Sequence, residues 1–307
     1  MKTIGFIGLG IMGKPMAANL LAAGFDVTVH SRRRESADEL VSNGARWADT
    51  VSDVTVGHEA VITMLPDSPD VESVTLGDRG ILASADPGML FIDMSTIRPE
   101  VARTVAARAD ARGMRMLDAP VSGGERGAID GTLSIMVGGS EQGFATAAPL
   151  FEVLGKTVVH VGPSGSGQTV KAANQLMVGG IIQLVAEALV LVERSGVDVG
   201  SALTVLAGGL AGSRVLDVKG ATMHERQFAP GFRIDLHHKD MGIALETGRT
   251  LGLPLPLTGV VAQLFLAAQA QGLGSLDHSA LLAALDLLAG GHHAPPTATT
   301  PAEQAAG

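Results

Sequence analysis

The segment Ile4-Gly5-Phe6-Ile7 runs straight into Gly8-Leu9-Gly10-Ile11-Met12-Gly13 and then into a stretch with Met16, Ala17, Leu20 and Leu21 at helical spacing, through Ala23. A strand, a GxGxxG turn and an amphipathic helix in that order restrict the chain severely. The glycines allow a tight turn, close approach of a pyrophosphate to backbone N–H groups, and packing of helix on strand. A turn that holds no ligand is the competing reading, and the flanking strand and helix weigh against it.

The pattern repeats. A second strand is expected at Asp26 to His30, a third at Ala60 to Leu65 ended by Pro66-Asp67, and a fourth at Leu90 to Asp93 followed by Met94-Ser95-Thr96. Pro99-Glu100 begins the next helix, Arg115 to Asp118 is a short strand, and strands at 132–137 and 157–161 flank a helix around 144–154. Strands alternating with helices predict a mostly parallel sheet whose ligands sit outside the carboxyl ends of the strands. The fold class is therefore an α/β Rossmann-type dinucleotide-binding domain over residues 1–163. Gly8, Leu9, Gly10, Ile11, Met12, Gly13, Met64, Leu65, Pro66 and Thr96 are cofactor-contact candidates by position. Thr96 is also expected as the N-cap of the helix that follows, a compatible role.

The end of the second strand bears on the cofactor. NAD-preferring folds carry an acid about 20 residues past the glycines, whereas here His30-Ser31-Arg32-Arg33-Arg34 precedes the first acid, Glu35. A hydroxyl followed by guanidinium groups suits a 2′-phosphate, so Ser31 and Arg32 are cofactor candidates and NADPH is expected over NADH. A solvated charge run is the alternative. In Asp118-Ala119-Pro120-Val121-Ser122-Gly123-Gly124, the Ser-Gly-Gly step can turn N–H groups toward one point and bind a carboxylate, or can serve as a turn only.

Gly165-Ser166-Gly167-Gln168-Thr169-Val170-Lys171-Ala172-Ala173-Asn174-Gln175 is a glycine-rich turn opening a helix. Lys171, Asn174 and Gln175 stand at i, i+3 and i+4 and share a face. They can be a solvated first turn, or a proton donor with two amides orienting a small polar substrate. One proline-free helix is expected from Gln168 to Arg194, about 40 Å long. It is apolar nearly all round, so a partner subunit is expected to cover part of it. Residues 176–192 are its most apolar run, and Gly179-Gly180, Gln183 and Glu187 are expected to keep them short of a membrane span. Helices near 200–207, 213–223, 236–250, 256–271 and 278–289 complete an all-helical domain over 164–290, of which 164–195 is the long interdomain helix. Residues 291–307, rich in Pro, Ala and Thr, are expected to be a disordered tail. In Phe232 to Asp240, adjacent His237-His238 lack companion ligands, so no metal is expected. Lys239 can reach a ligand or serve in a surface salt bridge.

Composition narrows the partners. The 307 residues suffice for two domains, and the net charge of −9 disfavours nucleic acid while leaving room for a small anionic substrate. The absence of cysteine removes disulfides and thiolate metal sites and fits a reducing cytoplasm. The first residues read as a strand with no basic-then-apolar leader, so neither a signal peptide nor a membrane partner is expected.

Four separated motifs, Gly5 to Gly13, Asp118 to Gly131, Gly165 to Gln175 and Phe232 to Asp240, resemble the β-hydroxyacid dehydrogenases over roughly 1–290. Lys171-Ala172-Ala173-Asn174-Gln175, the 208–216 stretch, Pro230-Gly231-Phe232 and Leu276 to Leu281 are most similar to the branch acting on tartronate semialdehyde. Relatives acting on 3-hydroxyisobutyrate tend to carry Asn-Asn at 174–175. The resemblance implies Lys171 as catalytic acid/base, Ser122-Gly123-Gly124 as carboxylate binders, and Asn174 and Gln175 at the substrate. It adds Leu65, Pro66, Thr96, Phe232 and Lys239 as cofactor contacts. It further implies an oxidoreductase with an interdomain cleft, assembled as a homodimer or homotetramer. The Arg32-Arg33-Arg34 run and the segment after residue 290 are not features of that family.

Overall fold

The computed structural model describes residues 1–290, and the expected tail at 291–307 lies outside the described residues. The chain divides into two compact units, Met1–Lys171 and Ala172 onward, a division that falls inside the long helix.

The first unit is a nine-stranded sheet. Its strands are β1 (Thr3–Ile7), β2 (Asp26–His30), β3 (Arg46–Trp47), β4 (Ala60–Thr63), β5 (Leu90–Asp93), β6 (Arg115–Asp118), β7 (Val121–Ser122), β8 (Leu133–Gly139) and β9 (Gly155–Gly162). The order is β3-β2-β1-β4-β5-β6-β8-β7, with β9 on β8. The six strands from β3 to β6 are parallel, and β8 joins them antiparallel to β6. The strand order reverses between β1 and β4, which places a topological switch point beside the glycine turn.

Helices α1 (Gly13–Ala22), α2 (Asp38–Ser42), α3 (Ser68–Leu76), α4 (Ile81–Ser84), α5 (Pro99–Asp110), α6 (Gly124–Ile129) and α7 (Glu141–Leu154) connect the strands. One face of the sheet packs against Met16, Leu20, Leu150 and Phe151, and the other against Val71, Ile81, Val101 and Val105. Two such layers are what strands buried on both faces require.

Three expectations need correction. The strand at Ala60 stops at Thr63, because Met64 and Leu65 leave the sheet toward Pro66. Thr96 does not cap a helix: Pro99 occupies the first helical position, where its missing N–H costs nothing, and the N-cap is therefore Arg98. The Ser-Gly-Gly loop is more regular than a plain turn, since Val121–Ser122 pair with β8 and α6 follows at once.

The second unit is helical: α8 (Ser166–Arg194), which begins in the first unit, then α9 (Val199–Gly208), α10 (Arg214–His224), α11 (Ile234–Thr250), α12 (Pro256–Ala270) and α13 (Leu281–Leu288). Its core gathers Ile182, Ala186 and Leu189 of α8 around Met223, Met241, Phe265 and Leu282. By length and mean hydropathy (2.0) α8 would suffice to cross a membrane, despite Gln183 and Glu187, yet half of its most apolar stretch is buried within the protein. That is the pattern of a core helix.

At the carboxyl ends of β4, β5 and β6, register puts Thr63, Asp93 and Asp118 side by side. Asp93 is fully buried, accepts hydrogen bonds from the Thr63 hydroxyl (2.7 Å) and Ser95 N–H (3.2 Å), and leaves its other oxygen without a partner. Burial, assisted by neighbouring Asp118, pushes its carboxyl up to about 6. A carboxyl raised in the folded state binds its proton more tightly there than in the unfolded chain. Its contribution to stability therefore falls as pH rises from about 4 to about 6. Asp93→Asn lacks this dependence. Its stability relative to wild type should rise by about 2 kcal/mol between pH 4.5 and pH 8, at about 1.4 kcal/mol per pKa unit. Thermal or urea unfolding of both proteins across that range measures it, and a pH-independent difference would contradict the assignment.

Candidate functional site

The carboxyl edge of the sheet collects most of the expected residues of the first unit. Gly8 has φ +102° and its N–H donates to His30 O at 3.0 Å, which ties the turn to the end of β2. A side chain on Gly8 would meet the Met64 carbonyl, and one on Gly13 would meet the Gly8 carbonyl. Gly10 instead faces open space, Ile11 is exposed, and Met12, the N-cap of α1, makes no side-chain capping bond. An uncapped helix N-terminus beside an open glycine is a ready seat for a pyrophosphate, so the residues present fit a dinucleotide. Leu9 is buried and offers only its backbone.

At the end of β2, Ser31 is half-buried while Arg32, Arg33 and Arg34 are exposed. Arg32 stands 3.9 Å from Asp70, and Arg34 lies over the Trp47 ring, 5.2 Å from its centroid. Half-buried Met64 and Leu65 lead to exposed Pro66, and the Leu65 N–H donates to Ser95 Oγ at 2.9 Å. Thr96 is half-buried on the loop after β5. Ser122 ends β7, and Gly123 and Gly124 follow with φ +138° and +62°. Backbone of that hand is open to glycine and lets the chain pass directly from β7 into α6.

Lys171 lies on α8 and is buried, with 6% of its surface exposed. The start of that helix is held from the sheet. Gly165 has no side chain to cap it, and Asp118 does so instead, accepting from Gly165 N (2.7 Å) and Gln168 N (3.0 Å). A side chain on Gly167 would run into the carbonyls of Asp118 and Met136, so glycine is what lets the helix touch the strands. Burial raises the Asp118 carboxyl, and the N–H groups of Gly165 and Gln168 oppose that rise.

In the second unit, Gln175 is buried and donates to Asp240 Oδ2 at 2.6 Å, while its Oε1 accepts from Asn174 at 2.7 Å. Asp240 also pairs with Lys239 at 3.0 Å. Gln175 thus links Asn174 to the acid that Lys239 faces. Phe232 stands edge-on to the His237 and His278 rings, and its N–H donates to Asp277 at 3.0 Å. His237 Nδ1 lies 2.8 Å from His278 Nδ1, and its Nε2 donates to Gln175 O at 3.0 Å. Among the described residues no group of three His, Cys, Asp or Glu could hold a metal ion. Asp93, Asp118, Gln168 and Asp240 carry much of this polar framework and were not singled out in the sequence. An acid closing each of two short strands, after Leu90-Phe91-Ile92 and after Met116-Leu117, was the available signal.

Known proteins match this arrangement along most of the chain. Residues 3–162 match the NAD binding domain of 6-phosphogluconate dehydrogenase, and 165–285 match the NAD-binding domain of NADP-dependent 3-hydroxyisobutyrate dehydrogenase. A 2-hydroxy-3-oxopropionate reductase of Escherichia coli (strain K12) is 46% identical over 286 residues, covering 93% of this chain and 98% of the relative. The solved structure of Mycobacterium tuberculosis 3-hydroxyisobutyrate dehydrogenase with L-serine is 34% identical with a TM-score of 0.85, over 93% of this chain and 99% of that one. A structure of Psf3 with NADP+ and 2-OPP is 30% identical with a TM-score of 0.84, over 92% and 99%. With a dinucleotide fold and a helical partner unit both matched, the chain belongs to the 3-hydroxyisobutyrate dehydrogenase family of NAD(P)-dependent oxidoreductases acting on hydroxyacids.

Proposed function

We propose that the protein reduces a small semialdehyde carboxylic acid to its hydroxy acid with NADPH, tartronate semialdehyde to D-glycerate in the first instance, and that Lys171 is the proton donor. The observation that carries this reading is the burial of Lys171 on the α8 face that also bears Asn174 and Gln175. A solvated charge would not be buried, because taking an ammonium out of water is costly. The 46% identity to a 2-hydroxy-3-oxopropionate reductase supports the substrate.

A bound nicotinamide supplies the hydride that reaches the aldehyde carbon. As negative charge grows on the carbonyl oxygen, the Lys171 ammonium stabilises it and hands over a proton; in the oxidative direction neutral Lys171 takes that proton back. The Ser122 hydroxyl and the N–H groups of Gly123 and Gly124 receive the substrate carboxylate. Asn174, steadied on Gln175, orients the substrate. Phe232 and Lys239 serve the cofactor, as do Met64 to Pro66 and Thr96.

Ser31 and Arg32 favour the 2′-phosphate. The Arg32 pair with Asp70 is long and its side chain is 85% exposed, so a phosphate can displace it at little cost. The protein is also proposed to assemble as a homodimer or homotetramer through its helical unit. Met177, Leu184 and Leu191 on α8 are 61%, 57% and 69% exposed and recur every seventh residue, which sets them on one stripe.

Four outcomes are expected. Lys171→Ala should lose about 10²–10⁴ in kcat on the preferred substrate while still binding cofactor, and near wild-type turnover would reject the acid. NADPH oxidation should be fastest with tartronate semialdehyde among the semialdehydes of methylmalonate and succinate and glyoxylate; preference for another identifies the 3-hydroxyisobutyrate, succinic semialdehyde or glyoxylate alternative. The kcat/KM ratio should favour NADPH over NADH and fall about 10–100-fold in Arg32→Ala, and an NADH preference in wild type would reject the phosphate reading. Light scattering should give a dimer or tetramer that Leu184→Glu with Leu191→Glu dissociates, and a wild-type monomer would contradict the assembly.

A further inference from the structure

We propose that Gln168 is a positioning residue for the reaction, fixing the loop that carries Thr96 against the helical turn that carries Lys171. The inference rests on Lys171 being the acid. Gln168 is 1% exposed, and both ends of its amide are used. Nε2 donates to Ser95 O at 2.8 Å, and Oε1 accepts from Ile97 N at 3.0 Å. These two bonds bracket Thr96, pairing with the backbone on either side of it as a neighbouring strand would. The Gln168 N–H meanwhile donates to Asp118 Oδ2.

One residue is therefore fastened to the loop after β5 through its side chain and to the end of β6 through its backbone. The Ser95 hydroxyl extends the connection to Leu65 N–H beyond β4. Gln168 and Lys171 are three residues apart on α8, about 4.5 Å along the axis and on the same face. The loop cannot slide along the helix without breaking both amide bonds at once. Any slip would change the distance from the Lys171 ammonium to whatever the Met64–Pro66 and Thr96 loops hold. Burial alone does not account for the residue, because a leucine would fill similar volume without a buried amide to satisfy.

Gln168→Leu leaves Ser95 O and Ile97 N buried and unpaired, while Gln168→Glu keeps the acceptor for Ile97 N and loses the donor. In Gln168→Leu, kcat per folded site should fall about 10–100-fold, because small misplacements remote from the chemistry cost that much. The cofactor Kd, read by NADPH fluorescence, should stay within about threefold of wild type, and the deuterium isotope effect on kcat with NADPH labelled at the transferred position should rise. Gln168→Glu should move in the same direction by less. A role in stability alone would lower the folded fraction and leave the isotope effect and the split between kcat and KM unchanged. If Gln168→Leu does not fold, Gln168→Glu decides; if neither folds, Gln168 serves stability and the proposal is overturned. A kcat per folded site within about twofold of wild type, with an unchanged isotope effect, also overturns it. Lys171→Ala run alongside separates the two ideas. Loss there with normal Gln168 variants sinks only the positioning role, whereas retained turnover in Lys171→Ala sinks the acid itself.

Discussion

A single carboxylate at the end of β6 holds the start of the longest helix. The opening of α8 has glycines at 165 and 167 and no side chain able to cap it, so its first N–H groups would be buried without partners. Asp118 accepts two of them and ties the helix to the sheet. The glycines that remove the local cap are also what permit so close an approach. Lys171, one turn further along α8, inherits its position from that contact.

Asp118 does not act alone. Register aligns Thr63, Asp93 and Asp118 across three parallel strands, and Ser95 and Gln168 continue the polar row above them. Buried polar groups are expensive unless satisfied, and nearly all of these are. The exception, one oxygen of Asp93, goes with a carboxyl that burial raises to about 6, which favours its neutral form below that pH. Such a row fixes the loops after β4 and β5 and the helix start as one network, in the part of a doubly wound sheet where ligands bind. Fixed donors and loops matter there because proton and hydride must reach one carbonyl in a defined geometry.

The sequence made much of this legible, for physical reasons that differ by element. The turn from Gly8 to Gly13 carries its constraint locally, since neither Gly8 nor Gly13 can accept a side chain, and the apolar strands announce themselves by composition. The helix from 166 to 194 was visible as a proline-free apolar run to within two residues of its start. What stayed hidden is non-local. Gln168 is joined to Ser95 and Ile97 across some seventy residues, and no periodicity reports such a bond. The short α2, α4 and α6 and the two-residue β3 and β7 are made by tertiary packing rather than by pattern. Thr96 was misread as a cap because Pro99 decided where its helix begins.

The proposed chemistry turns on the placement of one ammonium group. A crystal structure with NADP+ and a small hydroxy acid bound measures it directly. The Lys171 Nζ should lie within about 3.2 Å of the hydroxyl oxygen on the carbon that faces the nicotinamide, with the carboxylate at Ser122 to Gly124. A lysine turned away from that oxygen, with another side chain or a water chain in its place, would contradict it.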